Sequence, residues 1–278
     1  METVVIYHGD CFDGFGAAWV AKKALNYPYY MIPRKYGQQE HLEIPEPKDA
    51  NVYILDFSFP RASMVQLSKI VKKLVVLDHH KTAQADCEGL DFCTFDMNRS
   101  GAGLTWDYFY PEIPRPPLIN YVEDRDLWKF KLPDSDAIHA YISSWPKDYN
   151  VWDWLDKRLT ENFEECLNEG KAILRFKDQK VEEMVKEAIL VKGLFKDDFT
   201  VPLVNCTYQF GSDVAMRLLD IYPNSPYSVY WLVGADGQYQ YGLRARSTDD
   251  VNVSEVAKKF GGGGHKKASG FKVEKEIS

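Results

Sequence analysis

Leu74-Val75-Val76-Leu77-Asp78-His79-His80 is a run of four apolar residues that ends abruptly in a carboxylate and two imidazoles. Apolar side chains on consecutive positions, two of them β-branched, mark a strand buried on both faces, as in a parallel sheet. The pattern occurs twice more upstream. Val4-Val5-Ile6-Tyr7 gives way to His8-Gly9-Asp10, and Val52-Tyr53-Ile54-Leu55 gives way to Asp56. Helical patterns lie between the runs: residues 16–25 are alanine-rich, and residues 61–73 put Met64, Leu67, Ile70 and Val71 on one face. Strand and helix in alternation with short links predict an α/β fold, an N-terminal doubly wound parallel sheet. Ligands of such sheets bind beyond the carboxyl ends of the strands. All three runs end there in Asp or His, so separate stretches of chain converge on one place.

The later chain is organised differently. From 161 to 191 the spacing of Phe163, Leu167, Leu174, Val181, Met184, Val185 and Ala188 predicts a long helix, weakened at Gly170. Residues 192–200 read as a polar link. Strand-like runs at 201–204, 227–233 and 238–243, with a helix near 213–220, then predict a smaller C-terminal α/β domain with a mixed sheet. The expected organisation is a first domain over 1–150, a helical linker over 151–197 and a second domain over 198–278.

Composition narrows the class. The 278 residues are 45% hydrophobic, 14% aromatic and 27% charged, which excludes disordered, collagen-like and low-complexity chains. No apolar run approaches the roughly 20 residues of a membrane span, so no membrane partner is expected. Met1-Glu2-Thr3 leads straight into an apolar strand without a secretion signal. The five cysteines are odd in number and lack zinc-ribbon spacing, which fits reduced thiols in a cytoplasmic, reducing compartment. A formal net charge of −7 argues against gripping long duplex nucleic acid by counterion release.

Four of the six histidines lie inside compact motifs. A histidine taken singly is more often structural than a ligand, but the company of these four differs. His8, Asp10 and Asp13 bring one imidazole and two carboxylates into six residues of a glycine-containing turn. Such a turn also suits an acidic helix N-terminus, yet groups of this kind facing one point repel one another without a cation. Asp56 stands alone at a strand end, where an N-cap is the bland alternative. Asp78-His79-His80 has no evident packing role. Glu123-Asp124-Arg125-Asp126 places three acids in four residues, just ahead of Trp128 and Phe130. Carboxylates and imidazoles in this mix suit Mn2+, Mg2+, Co2+ or Zn2+, and their number exceeds the need of one ion. Two divalent metal ions sharing a carboxylate account for them.

Near the C-terminus stands Gly261-Gly262-Gly263-Gly264-His265-Lys266-Lys267-Ala268-Ser269-Gly270. One glycine suffices for a helix C-cap after Phe260; four followed by histidine suggest backbone amides cradling an anion. Arg244 and Arg246 with Ser247 form a candidate phosphate clamp, since guanidinium binds phosphate in bidentate fashion.

In this order the motifs resemble the DHH–DHHA1 phosphoesterase family, over essentially the whole span from His8 to Gly270. Asp78-His79-His80 matches the namesake triplet, and the glycine–histidine stretch resembles the signature of the second domain. The resemblance implies a DHH catalytic domain and a DHHA1 substrate-binding domain that close over the substrate. It implies one metal held by His8, Asp10 and Asp56, and another held by Asp13, Asp56, His79 and Asp124, with Asp56 as bridge. Asp78 then orients the neighbouring histidines, and His80 stands by the scissile phosphate as electrophile or proton donor. His265, Arg246, Ser247, Gly262, Gly263 and Gly264 hold the far side of the substrate. Asp10 and Asp13 are three positions apart, where the family's commoner motif has two, and the acidic stretch admits Asp126 in place of Asp124. Arg99 is a further candidate phosphate contact.

Long members with added nucleic-acid-binding domains, and members with membrane spans, are not matched in size or hydropathy. The chain is similar to the compact nanoRNase or oligoribonuclease-like type. The expected activity is metal-dependent hydrolysis of linear dinucleotides or very short oligonucleotides to mononucleotides, by two-metal activation of water with Mn2+, Mg2+ or Co2+. A homodimer is compatible with this reading. Trp128, Trp145, Tyr208 and Tyr241 are aromatics available to stack a base. The alternatives are a phosphomonoesterase or pyrophosphatase, such as one acting on a 3′-phosphorylated nucleoside, and a non-enzymatic nucleotide sensor. The intact ligand set disfavours the sensor.

Overall fold

The computed structural model describes residues 3–9, 11–25, 30–35 and 48–277. The chain divides into two compact units, Met1–Leu174 and Arg175–Ser278.

The N-terminal unit begins with β1 (Thr3–His8), α1 (Phe12–Ala24), β2 (Tyr30–Arg34), β3 (Asn51–Leu55), α2 (Arg61–Ser68), β4 (Lys73–Asp78), α3 (Lys81–Asp86) and β5 (Cys93–Phe95). The helices α4 (Gly101–Phe109), α5 (Pro117–Asp126), α6 (Ser135–Ser143), α7 (Tyr149–Glu161) and α8 (Phe163–Met184) follow. Among the described residues its five strands are all parallel, in the order β2-β1-β3-β4-β5. Alternate side chains of the central strands enter two separate cores. Val4, Ile6, Val52, Ile54 and Val76 meet Met64 and Leu67 of α2; Val5, Tyr53, Leu55 and Leu77 meet α1, α4, α5, α6 and α7. Both faces of the sheet are therefore covered, as its consecutive apolar residues require. Each such side chain contributes about 1.5–3 kcal/mol by leaving water.

The strand order reverses direction between β1 and β3. That is the topological switch point, where the loops after neighbouring strands part and leave a crevice for a ligand. His8 ends β1 and Asp56 follows β3, so both stand on the rim of that crevice.

Residues 151–174 are part of this unit rather than a linker. Trp152, Leu155 and Leu159 of α7 and Cys166 and Leu167 of α8 are buried in the N-terminal core. Gly170 marks a close helix approach: a Cβ there would lie 2.1 Å from the Ala137 carbonyl oxygen of α6.

The C-terminal unit opens, after the last turns of α8, with a 3-10 turn (Val185–Glu187) and β6 (Ile189–Lys192). It continues with β7 (Thr200–Asn205), α9 (Tyr208–Ile221), β8 (Ser228–Val233), β9 (Tyr239–Arg244), α10 (Val253–Lys258), β10 (Gly263–Gly264) and β11 (Ala268–Val273). Its sheet has the order β10-β11-β9-β8-β7-β6 and is mixed, with β7–β8 the parallel pair. Residues 188–197 also differ from a linker, since β6 pairs with β7 and Leu194 and Phe195 are buried in the core of this unit.

Candidate metal centre

The acids and imidazoles of the N-terminal unit reach one place by different routes. His8 is the last residue of β1, and Asp13 lies in the first turn of α1. Asp56 follows β3 with φ 52°, a left-handed conformation that a residue other than glycine adopts only when its surroundings impose it. Its amide donates to the Leu77 carbonyl at 2.8 Å, which ties it to β4. Asp78 closes β4, His79 and His80 follow it, and Asp126 ends α5.

Distances define the cluster. His79 Nε2 is 3.1 Å from Asp56 Oδ1, 3.5 Å from Asp13 Oδ2 and 3.6 Å from Asp126 Oδ2. His8 Nδ1 is 3.4 Å from Asp56 Oδ2. Asp13 is held by the start of α4, accepting from the amides of Gly101 at 2.6 Å and Ala102 at 2.9 Å. Asp78 accepts from the His80 Nδ1 side at 2.7 Å, from the His79 amide at 2.7 Å and from Ser58 Oγ at 2.6 Å. It therefore fixes the orientation of His80 and leaves Nε2 as that ring's outward nitrogen.

The electrostatics are those of a site with surplus negative charge. Burial raises the Asp13 carboxyl, and repulsion from Asp56 and Asp126 raises it further. Asp126 is raised by burial as well, against the pull of His79. At Asp56 burial is outweighed by the imidazoles of His79, His8 and His80, which hold it well below the ordinary carboxylate range. His79 shows the converse. Burial opposes its charge, but Asp56, Asp126 and Asp13 raise it to about 11.

These residues fit divalent cations. Asp56 Oδ1 is buried and makes no hydrogen bond of acceptable geometry, although His79 Nε2 stands 3.1 Å away. Two atoms at that distance and misaligned for hydrogen bonding are disposed as ligands of a shared ion. Asp13, His79 and Asp126 each offer a ligand atom within 4.8 Å of the others, as do His8, Cys11 and Asp56. The charge surplus is what a cation relieves.

A linked prediction concerns the metal-free protein. With its pKa raised to about 11 from the ordinary 6.5, His79 is protonated at pH 7.5 and supports folding fully below about pH 6.5, an effect lost as pH rises toward 11. A metal ligand must be neutral imidazole, so Mn2+ binding at pH 7.5 is expected to release at least about one proton per chain. Calorimetric titration in buffers of differing ionisation enthalpy measures this. A binding enthalpy independent of buffer contradicts it.

Other expected site residues make different contacts or fall outside the described residues. Asp10 is outside the described residues. Asp124 is not in the cluster: it accepts from the amides of Lys131 at 3.0 Å and Leu132 at 3.2 Å and from Ser135 Oγ at 2.6 Å, pinning the loop after α5. Asp126, the other register of the acidic stretch, points at His79 instead. Arg99 pairs with Glu123 at 3.0 Å. In the C-terminal unit, Arg246 binds the carbonyls of Leu219, Tyr222 and Ser225 and the Asp249 carboxylate, so it closes the end of α9 rather than presenting a free clamp. Ser247 is exposed.

The glycine stretch divides its labour. Gly261, at φ 76°, ends α10 in a Schellman arrangement, its amide bonding Lys258 O and that of Gly262 bonding Ala257 O. A Cβ on Gly262 would lie 2.2 Å from Gly270 O, and Gly263 and Gly264 form β10 itself. His265 occupies the tight turn between β10 and β11, its amide bonding Ala268 O at 2.7 Å.

Cys11 escaped the sequence reading. It is the N-cap of α1, its Sγ accepting from the Gly14 amide at 3.1 Å, and that places the sulfur 3.2 Å from His8 Nδ1 and 3.3 Å from Asp56 Oδ2. Burial and the nearby Asp56, Asp13 and Asp126 carboxylates push its thiol well up. A thiol at an N-cap is outside the usual Ser, Thr, Asp and Asn set, so no local pattern marked it.

A parallel sheet whose strand ends carry Asp and Asp-His-His, followed by a separate mixed-sheet unit, defines a two-domain α/β class with a candidate metal centre. Residues 210–278 match the DHHA1 domain. The chain is 32% identical to uncharacterized protein R106 of Acanthamoeba polyphaga mimivirus over 96% of its own length and 66% of the relative's. It is 25% identical to oligoribonuclease NrnB of Bacillus subtilis (strain 168) over 98% of its length and 73% of that protein's. Its fold is similar to that of the pGpG-specific phosphodiesterase PggH of Vibrio cholerae, with a TM-score of 0.55 at 14% identity, covering 98% of this chain and 93% of the other. Residues 210–278 thus carry a DHHA1 domain, and the similarities together support a DHH–DHHA1 phosphoesterase of the nanoRNase type.

Proposed function

We propose that this protein is a metal-dependent phosphodiesterase that converts linear dinucleotides or very short oligonucleotides to mononucleotides. The observation that carries the reading is the convergence of Asp13, Asp56, His79 and Asp126 on one point, with His8 on the far side of Asp56. Support for the substrate class comes from NrnB, named an oligoribonuclease, and from PggH, named for its action on pGpG.

In this proposal His8 and Asp56 serve one ion and Asp13, Asp56, His79 and Asp126 the other. Bound divalent ions, Mn2+ or else Mg2+ or Co2+, acidify water and neutralise charge gathering on the phosphoryl oxygens. The protein's own part is orientation. Asp78 holds the His80 ring so that Nε2 can donate to a phosphate oxygen, and the α4 amides keep the Asp13 carboxylate in place. His265 and Ser247 are assigned to substrate binding by the C-terminal unit. The roles of Arg246 and the glycines there are indirect, through the shape of the β10–β11 turn and the end of α9.

A substrate panel with Mn2+ tests the reading: dinucleotides, oligonucleotides of increasing length, a nucleoside 3′,5′-bisphosphate and pyrophosphate. The dinucleotide is expected to have the highest kcat/KM, falling with length. Faster turnover of the bisphosphate or of pyrophosphate overturns it.

A further inference from the structure

The loop after α5 departs from ordinary backbone behaviour next to the metal centre. Trp128 and Phe130 adopt left-handed φ values of 53° and 46°, and Asp134 follows at 52°. At a surface, glycine or asparagine relieves such strain, and bulky aromatics are the residues least suited to it. Two of them here in three positions point to a use for the rings.

The conformation at Trp128 ends α5 in a Schellman pattern, the Trp128 amide bonding Arg125 O at 3.0 Å, and the loop beyond is held by Asp124. Its backbone carbonyl accepts from the Lys129 amide at 2.9 Å, and its carboxylate takes the Lys131 and Leu132 amides and the Ser135 hydroxyl. What the loop displays is an aromatic platform backed by positive charge. The Arg125 guanidinium lies 4.0 Å from the centroid of the Trp128 ring and 5.2 Å from that of Phe130. The two rings meet edge to face, centroids 5.0 Å apart. Trp128 remains 37% exposed, and Lys129 and Lys131 beside it are exposed. The sequence here, Trp128-Lys129-Phe130-Lys131, alternates aromatic and basic residues, the pairing by which proteins hold single-stranded nucleotides through base faces and phosphates.

Position supplies the link to the chemistry. Asp126, whose carboxylate lies 3.6 Å from His79 Nε2, is two residues before Trp128, so the two Cα atoms are at most about 7 Å apart. The backbone of Trp128 therefore lies within a nucleotide's length of a candidate metal ligand.

We infer that Trp128, stacked on Arg125 and braced by Phe130, is a nucleobase platform that sets substrate affinity by stacking and accepts any of the four bases. This rests on the dinucleotide reading of the site. Trp128 is here a substrate-affinity residue; Asp124 is a positioning residue that holds the loop.

The test compares the dinucleotide pApA with its abasic counterpart in the Mn2+-loaded protein, and measures quenching of a dinucleotide that carries 2-aminopurine. Trp128→Ala is expected to raise KM for pApA between about 5-fold and 150-fold, the range of one base–aromatic stack. It should leave kcat/KM for the abasic dinucleotide within about 2-fold and remove the 2-aminopurine quenching; Trp128→Phe should retain most of the affinity. An unchanged KM for pApA in Trp128→Ala overturns the inference, as does an equal loss on both dinucleotides. Should Trp128→Ala fail to fold, an unquenched 2-aminopurine signal on saturating the wild-type protein overturns it instead. If the wild type cleaves no dinucleotide at all, the functional reading itself has failed, an outcome distinct from the others.

Discussion

Asp56→Asn is expected to lower kcat for a dinucleotide by on the order of 10^3-fold or more, with the fold intact. The size follows from position. Asp56 lies within 3.4 Å of both His8 and His79, is 1% exposed, and among the described residues is the carboxylate placed to serve both halves of the cluster. Its replacement by an amide removes the charge at the centre while keeping the shape. Asparagine is also suited to the left-handed backbone at φ 52°, which alanine is not, so the variant separates chemistry from strain. Turnover, Mn2+ content per chain and thermal unfolding should be read together. Loss of turnover with reduced metal content and an unfolding temperature within a few degrees of wild type is the expected set. Near-normal turnover contradicts the assignment of Asp56 as a shared ligand.

Why some of this was visible in the amino-acid order and some was not has a physical explanation. β1, β3 and β4 are central strands buried on both faces, so nearly every position is apolar, and their ends stand out where a run meets Asp or His. The edge strands β2 and β5 are only partly buried and carry no such run. His8, Asp13, Asp56 and the Asp78-His79-His80 triplet were legible because each is the first polar group beyond an apolar run or close behind one. The choice between Asp124 and Asp126 was not legible. Both lie in the last turn of α5, and which one turns toward His79 depends on hydrogen bonds to Lys131, Leu132 and Ser135, beyond the helix. Arg246 misled in the same way. A guanidinium near a glycine-rich stretch suits phosphate equally well, and only the fold brings the carbonyl ends of α9 to it. The structural duties of the glycines at the end of α10 and in β10 were not legible, because sequence shows that a side chain is missing, not what would collide with one.

Gly101→Ala is expected to damage fold and site together. The Gly101 amide donates to Asp13 Oδ2 at 2.6 Å, and a Cβ on Gly101 would lie 2.3 Å from Asp56 Cβ and 2.9 Å from Asp56 Cα. The obstructing atoms are not the far end of a flexible side chain. Asp56 is buried, bound through its amide to β4 and already in a restricted backbone conformation, so it has little room to yield. Either α4 withdraws, loosening Asp13, or Asp56 is displaced. Overpacking of this kind costs about 1–3 kcal/mol, or roughly 2–12 °C in Tm for a domain of this size. A shift of about 1 Å at a proposed metal-binding carboxylate lowers kcat/KM by on the order of 10^2-fold. Ser100→Ala is the discriminating control. It removes the neighbouring helix cap, in which Ser100 Oγ accepts from the Gly103 amide at 3.1 Å, at a cost of about 1 kcal/mol and without a clash at Asp56. Measured below both unfolding temperatures, Gly101→Ala should be slow and Ser100→Ala close to wild type. Equal activity in the two would mean that the contact between α4 and Asp56 is not what holds the proposed metal-binding carboxylates in register.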